Sequence, residues 1–260
     1  MTEPEEVDPA TAIPAATVVI FRNARSGGLP ELLMVTRSAA MAFAGGAAVF
    51  PGGRIDDADR ELAASLGHGG DQDDLSARVA AIRETLEETG LVIGLDGIVD
   101  AAIAAQARAL LLDKGELAPV LAHFGWKLAP QSLTPFARWR PNMKHARTFD
   151  TRFYLANLGT GEVDIAIDAT ENTRLFWISA QEALARADRG EMRVIYPTRR
   201  NLERLAQFRS FAEAQDHAFA IPPDIIVPFL DRSGPTTLLC IPEDRGYPIT
   251  AEPFETADRA

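Results

Sequence analysis

Arg83-Glu84-Thr85-Leu86-Glu87-Glu88-Thr89-Gly90-Leu91 sets three carboxylates at positions i, i+3 and i+4. On an α-helix those spacings bring side chains onto one face. Crowded carboxylates repel one another and raise each other's pKa. A divalent cation relieves the repulsion, and an all-oxygen donor set suits Mg²⁺ or Mn²⁺ better than zinc. The same residues also read as a solvated helix face, with Arg83 and Glu87 as an ordinary i, i+4 ion pair. The context favours the metal reading: Phe50-Pro51-Gly52-Gly53 lies upstream after an apolar stretch, and Gly90 closes the helix.

Working outward, Ala15 to Phe21 is β-branched and apolar and predicts a buried strand. After a Gly-rich turn, Glu31 to Arg37 predicts its hairpin partner, and Ala47 to Phe50 a short strand into the glycine turn. Leu75, Val79, Ile82 and Leu86 form the apolar stripe of a helix over 74–89, with the carboxylates displaced from it. Leu91 to Ile93 predicts the start of a further strand, and the Ala/Leu-rich stretch 99–123 one or two helices. Residues 138–143 read as a loop or strand edge; 148–156 and 171–178 read as strands. Ser179 predicts a helix cap, with Glu182 completing a capping box, and Pro197 predicts a helix running to about His217. The irregular alternation implies a mixed sheet with helices on both faces. Residues 1–12 predict a disordered tail, and 13–260 a single domain.

The 260 residues suffice for one sizeable core. A net charge of −11 argues against a general nucleic-acid or membrane-surface binder, which needs a basic footprint. An anionic small molecule stays compatible, because a cation and local arginines supply positive charge. The single Cys240 allows no internal disulfide and sits in an apolar run, which fits core filling in a reducing cytoplasm. The acidic, proline-rich amino terminus has neither signal-peptide nor transit-peptide character, and no apolar run is long enough to span a membrane.

The combination resembles the Nudix hydrolase family, whose signature is Gly, five residues, Glu, seven residues, then R-E-apolar-x-E-E-x-G-apolar. Residues 83–91 match the second half, with Thr85 at the usually aliphatic position; Gly53 matches the first glycine. Asp59 follows Gly53 by six, where the family prefers Glu, and Arg83 follows by 30 rather than 14. Residues of about 60–76 are therefore expected to contain an insertion. The resemblance implies a Nudix α/β/α sandwich with a helical elaboration at about 99–123 and a helical C-terminal extension at about 196–260. It implies pyrophosphate hydrolysis with Mg²⁺ or Mn²⁺. Glu87, Glu88 and the Gly53 carbonyl are the implied metal ligands. Glu84 is a further ligand or orients the attacking water, and Arg83 orients the glutamates. Asp59 is a candidate partner of Arg83. Glu162 and Glu171 are candidates for an outlying base. A homodimer follows from family habit alone.

Arg37-Ser38, Gly46 and Phe50-Pro51-Gly52-Gly53 look like the extra motif of the coenzyme A diphosphatase branch, with Ala42 replacing its second arginine. Met41, Phe43, Val49 and the later Arg147-Thr148-Phe149-Asp150-Thr151-Arg152-Phe153-Tyr154 are similar to the branch called nucleoside diphosphate-linked moiety X motif 19. The substrate implied is coenzyme A or an acyl-coenzyme A, with NADH, ADP-ribose or non-catalytic nucleotide sensing as the alternatives. Arg37, Arg147 and Arg152 are the expected substrate contacts, from a basic group that includes Arg138, Arg140 and Lys144. Trp139, Phe149 and Tyr154 are candidates for stacking on a base, although aromatics at strand spacing more often fill a core.

Overall fold

The computed structural model describes residues 12–24, 27–39, 44–67, 70–97, 99–141, 148–159 and 172–257. Strand β1 (Ile13–Arg22) is the centre of the sheet. Its side chains alternate between faces, as the strand repeat demands. Val19 and Phe21 join one apolar cluster, while Ala16, Val18 and Ile20 join the other.

On one edge β1 runs parallel to β6 (Phe149–Asn157), which is antiparallel to β5 (Thr134–Trp139). On the other edge it changes partner. Phe21 and Arg22 pair with β2 (Glu31–Arg37), whereas Ala15 to Thr17 pair with β4 (Gly52–Arg54). Strand β2 diverges to pair with β3 (Ala48–Val49) and β7 (Asn172–Ile178). The Phe50-Pro51 link enters that split, where the Val18 N–H donates to the Pro51 carbonyl at 2.9 Å. The glycine turn is thus held by β1 at the point where the sheet opens.

One face carries helices α1 (Asp57–Ser65), α2 (Gln72–Thr89), α3 (Ala101–Lys114) and α4 (Leu117–Phe124). The other carries α5 (Ala180–Asp188), α6 (Tyr196–Leu205) and α7 (Phe211–Ala220). The fold is the expected α/β arrangement with a mixed sheet between helical layers. The C-terminal extension holds more than helices. Strand β8 (Ile225–Ile226) joins β5, and β9 (Phe229–Asp231), β10 (Leu238–Cys240) and β11 (Ala251–Pro253) form a small antiparallel sheet. A final turn, α8 (Phe254–Ala257), packs against it. Cys240 is buried there.

Several local expectations need correction. Leu91 to Ile93 forms no ladder strand; the helix exit is secured instead by the Leu91 N–H donating to the Thr89 hydroxyl at 3.1 Å. The helix from Pro197 stops at Leu205. Ser210 starts α7 afresh by accepting from the Glu213 N–H, while the Glu213 carboxylate accepts from the Arg209 N–H. That Ser-x-x-Glu spacing was visible in the sequence. At Ser179 half of the capping box forms: Ser179 accepts from the Glu182 N–H, but the Glu182 carboxylate pairs with Arg186. Within the stretch expected to contain an insertion, residues 60–65 complete α1 and residues 72–76 begin α2.

Candidate active site

Helix α2 is defined at both ends. Asp71 accepts from the Asp73 and Asp74 N–H groups, and Gly90 closes the helix at φ 73°. Leu75, Val79, Ile82 and Leu86 are buried against the sheet. Thr85, fully buried where the signature favours an aliphatic residue, donates its hydroxyl proton to the Ala81 carbonyl at 2.7 Å. The signature face points into the split beside β4.

Arg83 organises that face and is only 4% exposed. Its Nε and one terminal nitrogen donate to both oxygens of Asp59, each at 2.9 Å. That terminal nitrogen also donates to the Arg54 carbonyl at 3.0 Å. The other reaches Glu84 at 3.0 Å and Glu87 at 3.3 Å. Burial opposes the charge, yet the hydrogen bonds of Asp59 and the charges of Glu84, Asp59 and Asp56 outweigh it, so Arg83 is held protonated beyond the ordinary guanidinium range. Arg83 thus hydrogen-bonds two of the three glutamates, and Asp59 is its buried acidic partner. Asp59 comes from α1, where it also accepts from the Asp56 N–H at 2.9 Å. The residues preceding the signature helix therefore supply a buried counter-charge to it.

The glycine turn is fitted to the glutamates. Glu88 accepts from the Gly52 N–H at 2.9 Å. A Cβ on Gly53 would overlap the Glu84 carboxylate, and one on Gly52, at φ +150°, would overlap the β1 backbone. Gly53→Ala is therefore expected to displace Glu84 and lower turnover while the fold survives. Gly52→Ala is expected to lower the melting temperature as well, because the clash is with backbone. Parallel activity and thermal-unfolding measurements on the two variants separate these effects.

Glu84 is the unusual carboxyl. Burial pushes it up, the Glu88 and Glu87 charges add to this, Arg83 opposes, and it titrates at about 8. Between about 4.5 and 8 the native state holds a proton that the unfolded chain has lost, so stability falls as pH rises through that window. In metal-free buffer, wild type should lose stability relative to Glu84→Gln from pH 6 to pH 8 and level off above. Thermal unfolding of both proteins across that range checks the sign; parallel curves would refute it.

A divalent cation fits the chemistry of this donor set, which is hard oxygen throughout and carries a buried carboxyl crowded by two others. Among the described residues, however, no three acidic, imidazole or thiol groups converge into an ion cage. Arg83 draws Glu84 and Glu87 toward itself, and Glu88 faces Gly52. Glu87 has a side chain 35% exposed and is the least confined of the three.

These groups line a cavity of about 380 Å³. Arg37 joins it from the end of β2, where a register shift after Thr36 breaks the strand's regular aim. Trp139 and Phe149 line it too, but the Trp139 indole is buried and donates to the Tyr247 hydroxyl at 3.0 Å. Arg152 does not join the cavity. It lies on the α2 side of the sheet, within 3.3 Å of Asp71 and 3.4 Å of Asp74. Arg138 pairs with Asp150 at 2.7 Å, and the Tyr154 hydroxyl donates to Asp74 at 2.8 Å. The strand repeat sends these side chains to the face opposite Phe153. Met41, Ala42, Phe43, Lys144, Arg147, Glu162 and Glu171 lie outside the described residues. Sequence reading missed Ile195, Pro197 and Thr198, which bring the start of α6 to the cavity wall. Pro197 signalled a helix start, but nothing local signalled where that helix would dock.

Fold, glycine turn and acidic helix define a Nudix α/β hydrolase domain. Residues 12–102 match the NUDIX domain family. A NUDIX hydrolase from Alicyclobacillus acidocaldarius is similar over 79% of this chain and 96% of its own, with 26% identity and a TM-score of 0.66. The NUDIX domain of Shewanella oneidensis NrtR complexed with ADP ribose has 16% identity over 78% of this chain and 96% of its own, at TM-score 0.42. A Caenorhabditis elegans Ap4A hydrolase binary complex has 15% identity over 80% and 96%, at TM-score 0.37. No curated protein matches significantly. Residues 12–102 thus carry a Nudix hydrolase domain, and the chain is similar over most of its length to a solved NUDIX hydrolase. No helix among the described residues is long and apolar enough to cross a membrane.

Proposed function

We propose that the enzyme hydrolyses the phosphoanhydride of coenzyme A or an acyl-coenzyme A with Mg²⁺ or Mn²⁺ held by Glu84, Glu87, Glu88 and the Gly53 carbonyl. The observation that carries the reading is the cavity itself: it unites the acidic face of α2 with Arg37, whose spacing to Phe50-Pro51-Gly52-Gly53 is that of the coenzyme A diphosphatase motif. Phe50, Phe149 and Phe153 add apolar wall. Such a wall suits a substrate that joins a charged diphosphate to a less polar arm.

The cation, when bound, supplies charge neutralisation for phosphate oxygens and acidification of water. The chain supplies the rest. Arg83 fixes the direction of Glu84 and Glu87, and Asp59 keeps Arg83 from swinging toward substrate. Glu84, in its ionised form, orients the attacking water and accepts its proton. Water's oxygen attacks one phosphorus, the bridging P–O bond breaks, and the departing phosphate keeps the electron pair. Arg37 faces the anion from across the cavity.

The test is a panel of coenzyme A, acyl-coenzyme A, NADH, ADP-ribose and dinucleoside polyphosphates with Mg²⁺ or Mn²⁺, products being identified by mass. Adenosine 3′,5′-bisphosphate plus a 4′-phosphopantetheine species is the expected pair. Cleavage confined to NADH or ADP-ribose overturns the substrate, and binding with no cleavage of any compound favours a sensing domain.

A further inference from the structure

We infer that the first turn of α6 is a phosphate-binding subsite, facing the same cavity as the acidic helix and lying outside the matched residues 12–102. The inference deepens the proposed function but needs only that the ligand carry a phosphate. Helix α6 begins at Ile195, which has no side chain able to cap it, and Pro197 occupies the first turn. Most helices satisfy their first N–H groups with Ser, Thr, Asp or Asn at that position. Here the Tyr196 and Thr198 N–H groups precede the first intrahelical bond, which runs from Arg199 to the Ile195 carbonyl at 2.9 Å. A helix start of this kind presents oriented donors and a positive dipole end to an anion.

The second observation is Thr198. It is only 3% exposed, lines the cavity, and its hydroxyl has no hydrogen-bond partner among the described residues. The hydroxyl is not among the sealed-in polar atoms, so it is open to the cavity, where an arriving ligand can take up its hydrogen bond. Thr198, Ile195 and Pro197 converge on that space, so donor, dipole and room coincide. The helix is also held firmly. Asn201, one turn further on and fully buried, accepts from the Tyr247 hydroxyl at 2.7 Å, and that hydroxyl accepts from Trp139 at 3.0 Å. This chain ties α6 to β5, so the turn is placed before a ligand binds. The cavity therefore has an acidic end for a cation and a donor end for an anion. Two phosphates could occupy the donor end: one in the diphosphate, or a separate phosphomonoester on the same ligand.

The test uses the full chain and inorganic phosphate in metal-free buffer, followed by amide NMR. Saturable shifts at the Tyr196 and Thr198 amides are expected, strongly weakened in Thr198→Val and retained in Thr198→Ser. Removing an unpartnered hydroxyl should leave the melting temperature of Thr198→Val unchanged or slightly raised, whereas a structural hydroxyl would lower it. With whichever substrate the panel identifies, Thr198→Val should raise KM about tenfold with kcat largely kept, the scale of one hydrogen bond to a charged group. If coenzyme A is that substrate, a larger KM effect than on dephospho-coenzyme A assigns the 3′-phosphate, and equal effects assign the diphosphate; both support the subsite. Absence of saturable shifts at both amides, or an unchanged KM in Thr198→Val, overturns it. A failure of the coenzyme A reading appears separately, in the substrate panel.

Discussion

Glu87→Gln and Glu88→Gln should each lower turnover by about a thousandfold while the protein stays folded. Each substitution keeps side-chain shape and removes one negative charge from the face that would bind the cation. A cation that neutralises phosphate charge is worth several kcal/mol in the transition state, and about 1.4 kcal/mol corresponds to tenfold in rate. Glu87 sits partly exposed, so its amide should cost little stability. Glu88 is buried, but glutamine retains an oxygen to accept from the Gly52 N–H. The measurement is kcat on the identified substrate beside the unfolding midpoint of each variant. Near-normal turnover in both would sink the site assignment, and lost activity with lost folding in Glu88→Gln alone would leave Glu87→Gln to decide.

Arg83→Ala should be the most damaging single change to stability. Arg83 and Asp59 are both almost wholly buried and meet through two 2.9 Å hydrogen bonds. Removing the guanidinium leaves the Asp59 carboxylate without its counter-charge and takes the nearby cation from Glu84. Breaking one half of a buried pair costs about 3–5 kcal/mol, which for a chain of this size lowers the midpoint by roughly 10 °C. Arg83→Lys should recover part of the loss, since it keeps the charge but not the two-pronged geometry. A double-mutant cycle with Asp59→Asn should show strong coupling between the two positions. Additive effects, or a loss below about 1 kcal/mol, would mean that the pair is incidental.

Much of the fold was readable because its elements have strong local causes. The alternating run at Val18 to Phe21 can bury both faces only as a central strand, and Leu75, Val79, Ile82 and Leu86 can meet the sheet only as a helix. The acidic face was readable for the same reason, since helical spacing alone sets Glu84, Glu87 and Glu88 beside each other. The break between Leu205 and Phe211 departs from the single helix expected there, although Ser210 and Glu213 mark a new cap in the sequence. Arg152 lies away from the cavity for a different reason. Its charge suggests the cavity, but the strand repeat sends alternate side chains of β6 to opposite faces, and Asp71 and Asp74 hold Arg152 on the face away from Phe149, Thr151 and Phe153.

By itself, then, the amino-acid order determined the class of chemistry: a glycine turn, an arginine and three glutamates whose spacing only a helix converts into a shared face. Tertiary structure alone decided the company they keep. Asp59 reaches Arg83 across 24 positions, Glu88 reaches Gly52 across 36, and α6 arrives from more than a hundred residues beyond the acidic helix to close the cavity. Such contacts depend on how a split sheet and two helical layers bring distant segments together, and no local periodicity encodes that distance.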